Sequence, residues 1–173
     1  MTQSIESAAA PFGAALAGKY LTFLLGRESY GIAVVKIREI LRMLEVTPVP
    51  QMPEYVRGVV NLRGKIIPVV DLRKRFRLSQ ATIDGRTCIV VVQVALGDGP
   101  PSSMGMVVDA VEEVVNIQGD DLEKTPQFGA RLHADYILGM AKVKGRVKTL
   151  LDIDQVIAAQ ELAQMAEQAE LAA

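Results

Sequence analysis

Two stretches of this chain carry one pattern, and a duplicated unit leaves few folds open. Tyr55, Gly58, Gly64 and Asp71 return as Tyr136, Gly139, Gly145 and Asp152, all at an offset of 81 (136 − 55), and most apolar positions between them return too. A second echo lies upstream. Gly31, Val34, Ile37, Glu39 and Ile40 match Gly105, Val108, Val111, Glu113 and Val114 at an offset of 74 (105 − 31). The chain therefore reads as two copies of one small β-rich unit. Two copies are too few for a solenoid, so the expected result is two similar barrels packed together.

A unit of roughly 65 residues is marginal alone, so the two should share an interface. Half of the 173 residues are hydrophobic, yet only 5% are aromatic and none is Trp. The core must then be aliphatic, and Val and Ile favour strands because branching at Cβ suits a pleated surface. The formal net charge of −1 argues against nucleic-acid binding through an overall field, although it leaves room for a local basic patch. The single cysteine, Cys88, cannot form a disulfide within the chain. It reads as a small buried apolar side chain and fits a reducing compartment. No run approaches the roughly 18 apolar residues of a membrane span. Residues 1–18 lack the positive start of a signal peptide and read as a flexible tail.

Along the chain, 19–25 and 30–34 read as paired strands. Val34, Ile37, Leu41 and Leu44 fall at helical spacing, so a short helix or helical turn is expected over 35–44. Pro48, Pro50 and Pro53 make a rigid connector or edge. The segments 56–62 and 65–70 form a hairpin turning at Arg63-Gly64, where glycine suits a positive φ. Pro68 implies a free edge or bulge, and Asp71 can cap a short helix over 72–77. Residues 79–86 are a polar linker. In the second copy, 87–95 is a continuous Val/Ile strand buried on both faces. Residues 97–103 form a loop, 104–108 and 111–117 the next strands, and 119–131 an irregular polar stretch. The segments 136–142 and 146–151 repeat the hairpin, turning at Lys144-Gly145, and Asp152 caps again. Ile153, Val156 and Ile157 begin a C-terminal helix whose start is docked; residues 158–173, rich in Ala, Gln and Glu, continue it as a helical tail.

Motifs for catalysis are missing. One histidine, His133, and one cysteine cannot build a zinc cluster, and no phosphate loop or nucleophile elbow occurs. A nucleophilic Cys88–His133 pair is disfavoured because a thiolate would be costly inside a buried strand. The acidic groups Asp109/Glu112/Glu113 and Asp120/Asp121/Glu123 lack calcium-loop spacing and read as solvated turns. Arg73, Lys74, Arg75 and Arg77 read as a solvated helix face, with Leu72 and Phe76 inward. Arg63 stands apart, at the tip of a stiff apolar hairpin. It is either an exposed turn residue or a guanidinium placed for a bidentate bond to a carboxylate, Glu39 or one on a partner.

The run Phe23-x-Leu25-Gly26, Tyr30-Gly31-Ile32, Ile37-x-Glu39-Ile40, Val49-Pro50-x-x-Pro53, Gly58-Val59-x-Asn61-Leu62-Arg63-Gly64 and Pro68-Val69-x-Asp71-Leu72 resembles the CheW family of chemotaxis coupling proteins. The match runs from about Tyr20 to Ile157, and the second copy fits through Gly105, Val107, Val108, Asp109, Val111, Tyr136 and Gly139. The resemblance implies a mostly β fold of two SH3-like five-stranded barrels, with short helices and a C-terminal helix. Barrel one is expected at about 19–80 and barrel two at about 87–157, together a CheW-like domain over 19–157. It also implies a non-enzymatic adaptor, with no cofactor and no metal, that joins the cytoplasmic tip of chemoreceptors to the chemotaxis histidine kinase. Such proteins work in the cytoplasm, recruited to receptor arrays at the inner membrane face without inserting into the membrane. Carried over, Ile37, Glu39, Gly58 and Arg63 match positions used around receptor and kinase coupling, and Val111 and Val114 match second-barrel positions beside the groove. An Arg63–Glu39 pair is the specific structural expectation.

Other readings keep the fold or abandon it. A regulatory domain of the kinase, a related chemosensory module, or a coupling protein fused to a receiver would share the barrels. The short flanks leave no room for the extra domains that the first and last of these require. An SH3-like barrel that binds RNA would want aromatics on a basic face, and four Tyr and four Phe with a net charge of −1 do not supply it. An enzyme of another kind has no motif to support it.

Overall fold

The computed structural model describes residues 16–79, 83–95, 99–123 and 136–157. Residues 97–98 of the loop expected over 97–103, most of the irregular stretch to 131, His133 and the tail over 158–173 lie outside the described residues, as do residues 1–15. The strands are β1 (Gly18–Leu25), β2 (Glu28–Ala33), β3 (Ile37–Arg42), β4 (Val56–Leu62), β5 (Lys65–Asp71), β6 (Cys88–Val94), β7 (Ser102–Val108), β8 (Ala110–Ile117), β9 (Leu122–Glu123), β10 (Ile137–Val143) and β11 (Arg146–Leu151). Two short helices, α1 (Leu72–Arg75) and α2 (Ile153–Val156), follow the two repeated hairpins.

The repeat dictates local structure as expected. Both hairpins turn through two left-handed residues, Arg63 (φ 53) with Gly64 (φ 84) and Lys144 (φ 54) with Gly145 (φ 78). This is the turn whose twist matches that of the strands. The Asp71 carboxylate accepts from the N–H groups of Arg73 and Lys74, and that of Asp152 accepts from Asp154 N–H, so both aspartates cap as their position requires. The repeated tyrosines hold the caps: Tyr55 O accepts from Asp71 N–H at 2.7 Å and Tyr136 O from Asp152 N–H at 2.8 Å.

Strand pairing departs from the expected barrel boundaries. One sheet runs β3-β6-β7-β5-β4 and the other β8-β1-β2-β11-β10-β9. Each is thus built from both copies. The opening hairpin β1–β2 leaves the first copy for the second sheet, and its counterpart β6–β7 leaves the second copy for the first. The orders superpose when the copies are exchanged, down to the parallel pairs β5·β7 and β2·β11. The additional strand β9 has a counterpart too, the bridge in which Thr47 and Val59 exchange backbone bonds of 2.9 Å. Two SH3-like barrels with exchanged hairpins result.

This topology explains the unbroken Val/Ile run of β6. Ile89 and Val91 point into one barrel with Val60, Ile67, Val69 and Val107. Val90, Val92 and Val94 point into a larger cluster between the barrels, with Leu21, Phe23, Leu25 and Ile32 from the other sheet. Burying such a side chain contributes about 1.5–3 kcal/mol, so this shared core outweighs any surface ion pair. A third cluster, with Tyr20, Ile117 and Leu150, fills the second barrel. Gly31 and Gly105 are repeat equivalents with one packing reason: a Cβ would lie 2.9 Å from Leu150 Cδ2 or 2.8 Å from Ile89 Cγ2.

Three smaller expectations are corrected. Residues 37–42 form a strand with alternating burial, and only Val34–Lys36 makes a 3-10 turn. Leu16 packs on the second barrel's core and accepts a 2.8 Å bond from the Tyr20 hydroxyl, so the packed body begins before residue 18. Cys88 is half-buried at the start of β6, where its thiol reaches Arg86 O at 3.1 Å.

Candidate docking surfaces

The open edge of the first sheet is β3, and it carries the expected ion pair. Arg63 Nη1 donates to Glu39 Oε1 at 2.9 Å and Oε2 at 3.2 Å, while Nη2 also donates to Oε2. The left-handed turn aims Arg63 at β3, and Asn61 Oδ1 secures that turn by accepting from Gly64 N–H at 2.8 Å. Arg63 is 68% exposed, so the pair is worth less than about 1 kcal/mol of stability. Its structural effect is orientation: two long side chains lie fixed on the barrel rim. Beside them Ile40 turns outward, 44% exposed.

The second sheet repeats this corner. Its edge strand β8 is the equivalent of β3, and Lys144 Nζ lies 3.2 Å from Glu113 Oε1. Lys144 is the repeat equivalent of Arg63, and Glu113 of Glu39. Sequence reasoning missed this pair, although the two offsets applied to Arg63 and Glu39 lead straight to it. Val114, the equivalent of Ile40, is 56% exposed, and Val147 on β11 is 53% exposed.

The remaining expected site residues occupy different settings. Ile37 and Val111 are equivalents, both half-buried against the shared core. Val114 is open to solvent on β8. Gly58 is buried at a β-bulge with φ 142, and a Cβ there would sit 2.0 Å from Thr47 O. It presents no side chain; it lets the Thr47–Pro48 backbone cross β4 at close range.

Between the barrels the chain passes from sheet to sheet at Val34–Lys36 and at Asp109. Each crossing is pinned to a helix. Lys36 Nζ donates to Asp154 Oδ2 of α2 at 2.8 Å, and Arg73 of α1 donates to Asp109 through Nε at 2.8 Å and Nη2 at 2.5 Å. Arg73 and Asp154 are equivalents, and the two pins carry opposite charges on their helices, with Lys36 and Asp109 one position out of step with the repeat. The carboxylate in each also accepts a backbone N–H from a strand end, Gly26 at 2.6 Å for Asp109 and Ala95 at 2.9 Å for Asp154. Burial pushes the Asp109 carboxyl up, but Arg73 and the Gly26 N–H outweigh it and hold it below its usual range. Arg75 Nε donates to Val156 O at 2.6 Å, and its guanidinium lies 5.5 Å from the rings of both Tyr55 and Tyr136.

The basic run of α1 is therefore not simply a solvated face, since Arg73 and Arg75 join the two halves. The first acidic group is not a solvated turn either: Asp109, Glu112 and Glu113 each have a partner. Glu112 accepts from the Ser29 hydroxyl and from buried Lys148 at 3.2 Å. Burial raises the Glu112 carboxyl, and Ser29 and Lys148 bring it below its ordinary value. Among the described residues no cluster of His, Cys, Asp or Glu could hold a metal ion, and no helix is long and apolar enough to cross a membrane.

Two interlocked SH3-like barrels with matching edge strands define a duplicated β-barrel protein. A family model for the CheW-like domain matches residues 19–161, and the chain belongs to that family. It is similar to the chemotaxis protein CheW of Treponema pallidum, at 34% identity over 84% of this chain and 85% of the relative. The chemotaxis protein CheW of Klebsiella aerogenes is 31% identical over 87% and 88% of the two chains. Among solved structures, the scaffolding protein TtCheW of Thermoanaerobacter tengcongensis aligns with a TM-score of 0.71 and 30% identity, covering 81% of this chain and 92% of that one.

Proposed function

We propose that this chain is a chemotaxis scaffold that couples chemoreceptors to the chemotaxis histidine kinase and makes or breaks no covalent bond itself. The observation that carries the reading is the open β3 edge, where the fixed Arg63–Glu39 pair stands beside exposed Ile40. An unpaired edge with an apolar anchor and an oriented polar rim suits docking to another barrel. Glu39 and Arg63 form the rim of the kinase-facing surface. To Ile37 and Val111, half-buried beside the sheet crossings, and to exposed Val114 on β8 we assign the receptor's cytoplasmic tip, docked as a helix. Gly58 acts indirectly, by placing the Thr47–Pro48 segment. The protein works in the cytoplasm, drawn to receptor arrays at the inner membrane face, and needs no cofactor, metal, nucleic acid or membrane insertion.

The test is cosedimentation of purified protein with receptor cytoplasmic fragments, with the kinase, and with both. Binding to each partner and joint stimulation of the kinase are expected. Sedimentation with neither, at tens of micromolar, overturns the reading.

A further inference from the structure

Arg75 and Val156 are repeat equivalents at the offset of 81 (156 − 75), and they touch: Arg75 Nε donates to Val156 O at 2.6 Å. Positions that match across an exchange of the copies can meet only near the axis relating them. The same holds for the rings around them, because the guanidinium stands 5.5 Å from Tyr55 and 5.5 Å from Tyr136, which are themselves equivalents. A group on such an axis cannot be duplicated. A second arginine would bring two like charges together, so one copy supplies the cation and the other its carbonyl and an aliphatic side chain. Phe76 extends the contact, stacking on Tyr136 at 5.1 Å and meeting Tyr30 at 5.7 Å. The chain crosses from sheet to sheet nearby, at Val34–Lys36 and Asp109, and those crossings are held by the Lys36–Asp154 and Arg73–Asp109 pairs.

We propose that Arg75 is a positioning residue that locks the angle between the two barrels, and that this angle joins receptor binding to kinase control. The second half rests on the coupling role proposed above. The planar guanidinium satisfies two rings and one carbonyl at once, a geometry that a lysine ammonium does not reproduce. Arg75 makes its hydrogen bond and ring contacts with Val156, Tyr55 and Tyr136, none of them a proposed docking residue. Its loss should therefore spare binding to each partner singly and weaken their communication.

The experiment uses the full chain in a Cys88→Ser background, with spin labels at Lys65→Cys and Arg146→Cys, equivalent exposed positions on opposite barrels. Pulsed electron paramagnetic resonance reads the label separation, and kinase assays with receptor fragments read coupling. With Arg75 present the distance distribution is narrow. Arg75→Leu should broaden or shift it, leave sedimentation with kinase alone and with receptor alone unchanged, and lower receptor-dependent kinase stimulation about tenfold, within the usual range for coupling between sites. An unchanged distribution overturns the lock. A broadened one with full stimulation overturns the link between angle and control. If Arg75→Leu does not fold, Arg75→Lys, which keeps charge and stem, is read in its place with the same outcomes. Failure of the unsubstituted protein to bind either partner would instead refute the coupling role, while the label distances still judge the lock.

Discussion

Lys144 faces Glu113 at 3.2 Å across the tip of the second barrel, as Arg63 faces Glu39 across the first. The fold thus offers two corners of one design, differing in the headgroup of the cation. Arginine gives a bidentate, planar clamp and lysine a mobile point charge.

Arg63→Glu should abolish receptor-dependent kinase stimulation while changing unfolding free energy by no more than about 1 kcal/mol, because the pair is exposed. Exchange of the charges in Glu39→Arg/Arg63→Glu should restore a clamp and part of the stimulation. Denaturant melts and coupled kinase assays decide; unfolding of the single variant, or full activity, removes Arg63 from the docking surface.

Gly58→Ala should destabilise by about 3 kcal/mol or more, since it combines strain at φ 142 with a Cβ 2.0 Å from Thr47 O. Gly64→Ala meets nothing within 4 Å and suffers only from its φ of 84, so about 1 kcal/mol is expected. Urea titrations of the two variants side by side check the ranking.

Lys148 is 5% exposed and holds Glu112 and Ser29. The first barrel has Ile67 and Arg38 at the equivalents of Lys148 and Glu112. Lys148→Ile alone strands a carboxylate and should cost about 2 kcal/mol, somewhat below the figure for a fully buried pair. Lys148→Ile/Glu112→Arg, which copies the first barrel, should cost less than the single change. Thermal melts that rank the double variant below the single would contradict this account.

Acid should loosen the molecule through Asp109 and Glu112. Both titrate in the fold below their ordinary values of 3.8 and 4.5. Depressed carboxylates stabilise the fold above the unfolded values, and that contribution is lost as pH falls through the folded ones. Asp109→Asn should be less stable than the parent at pH 7, and the gap should narrow as pH falls below 3.8, as measured by urea melts at each pH.

A protease site inserted at Gly85, in the exposed linker, tests the hairpin exchange. Because β1–β2 pairs with β8 and β11, the cut chain should stay as one body on gel filtration and part only in denaturant. Separation of the halves in native buffer would speak against the topology.

The hairpins, their turns and their caps were legible in the sequence because they depend on local chemistry, and the repeat displayed that chemistry twice. The Arg63–Glu39 contact was one of two outcomes that the turn's chemistry allowed, singled out by the family resemblance, and it is present. Strand β3 was misread as helical for a physical reason. Burial alternates along β3, but Glu39 takes a half-buried position and Ile40 an exposed one, so residue polarity does not follow that alternation. Both lie on the edge strand proposed for docking, where residue type does not follow burial. The exchange of hairpins was hidden because similarity between two copies does not reveal with which copy a strand pairs. Arg73 and Arg75 were read as solvent-facing because their partners, Asp109, Tyr136 and Val156, lie 36, 61 and 81 residues away (109 − 73, 136 − 75, 156 − 75).

With the opening hairpins traded, neither lobe owns all of its own strands. A lesion in one repeat is inherited by both ends of the molecule. Swapping a whole repeat for a relative's therefore cannot retune one lobe alone; a change confined to one side has to come residue by residue along the rims.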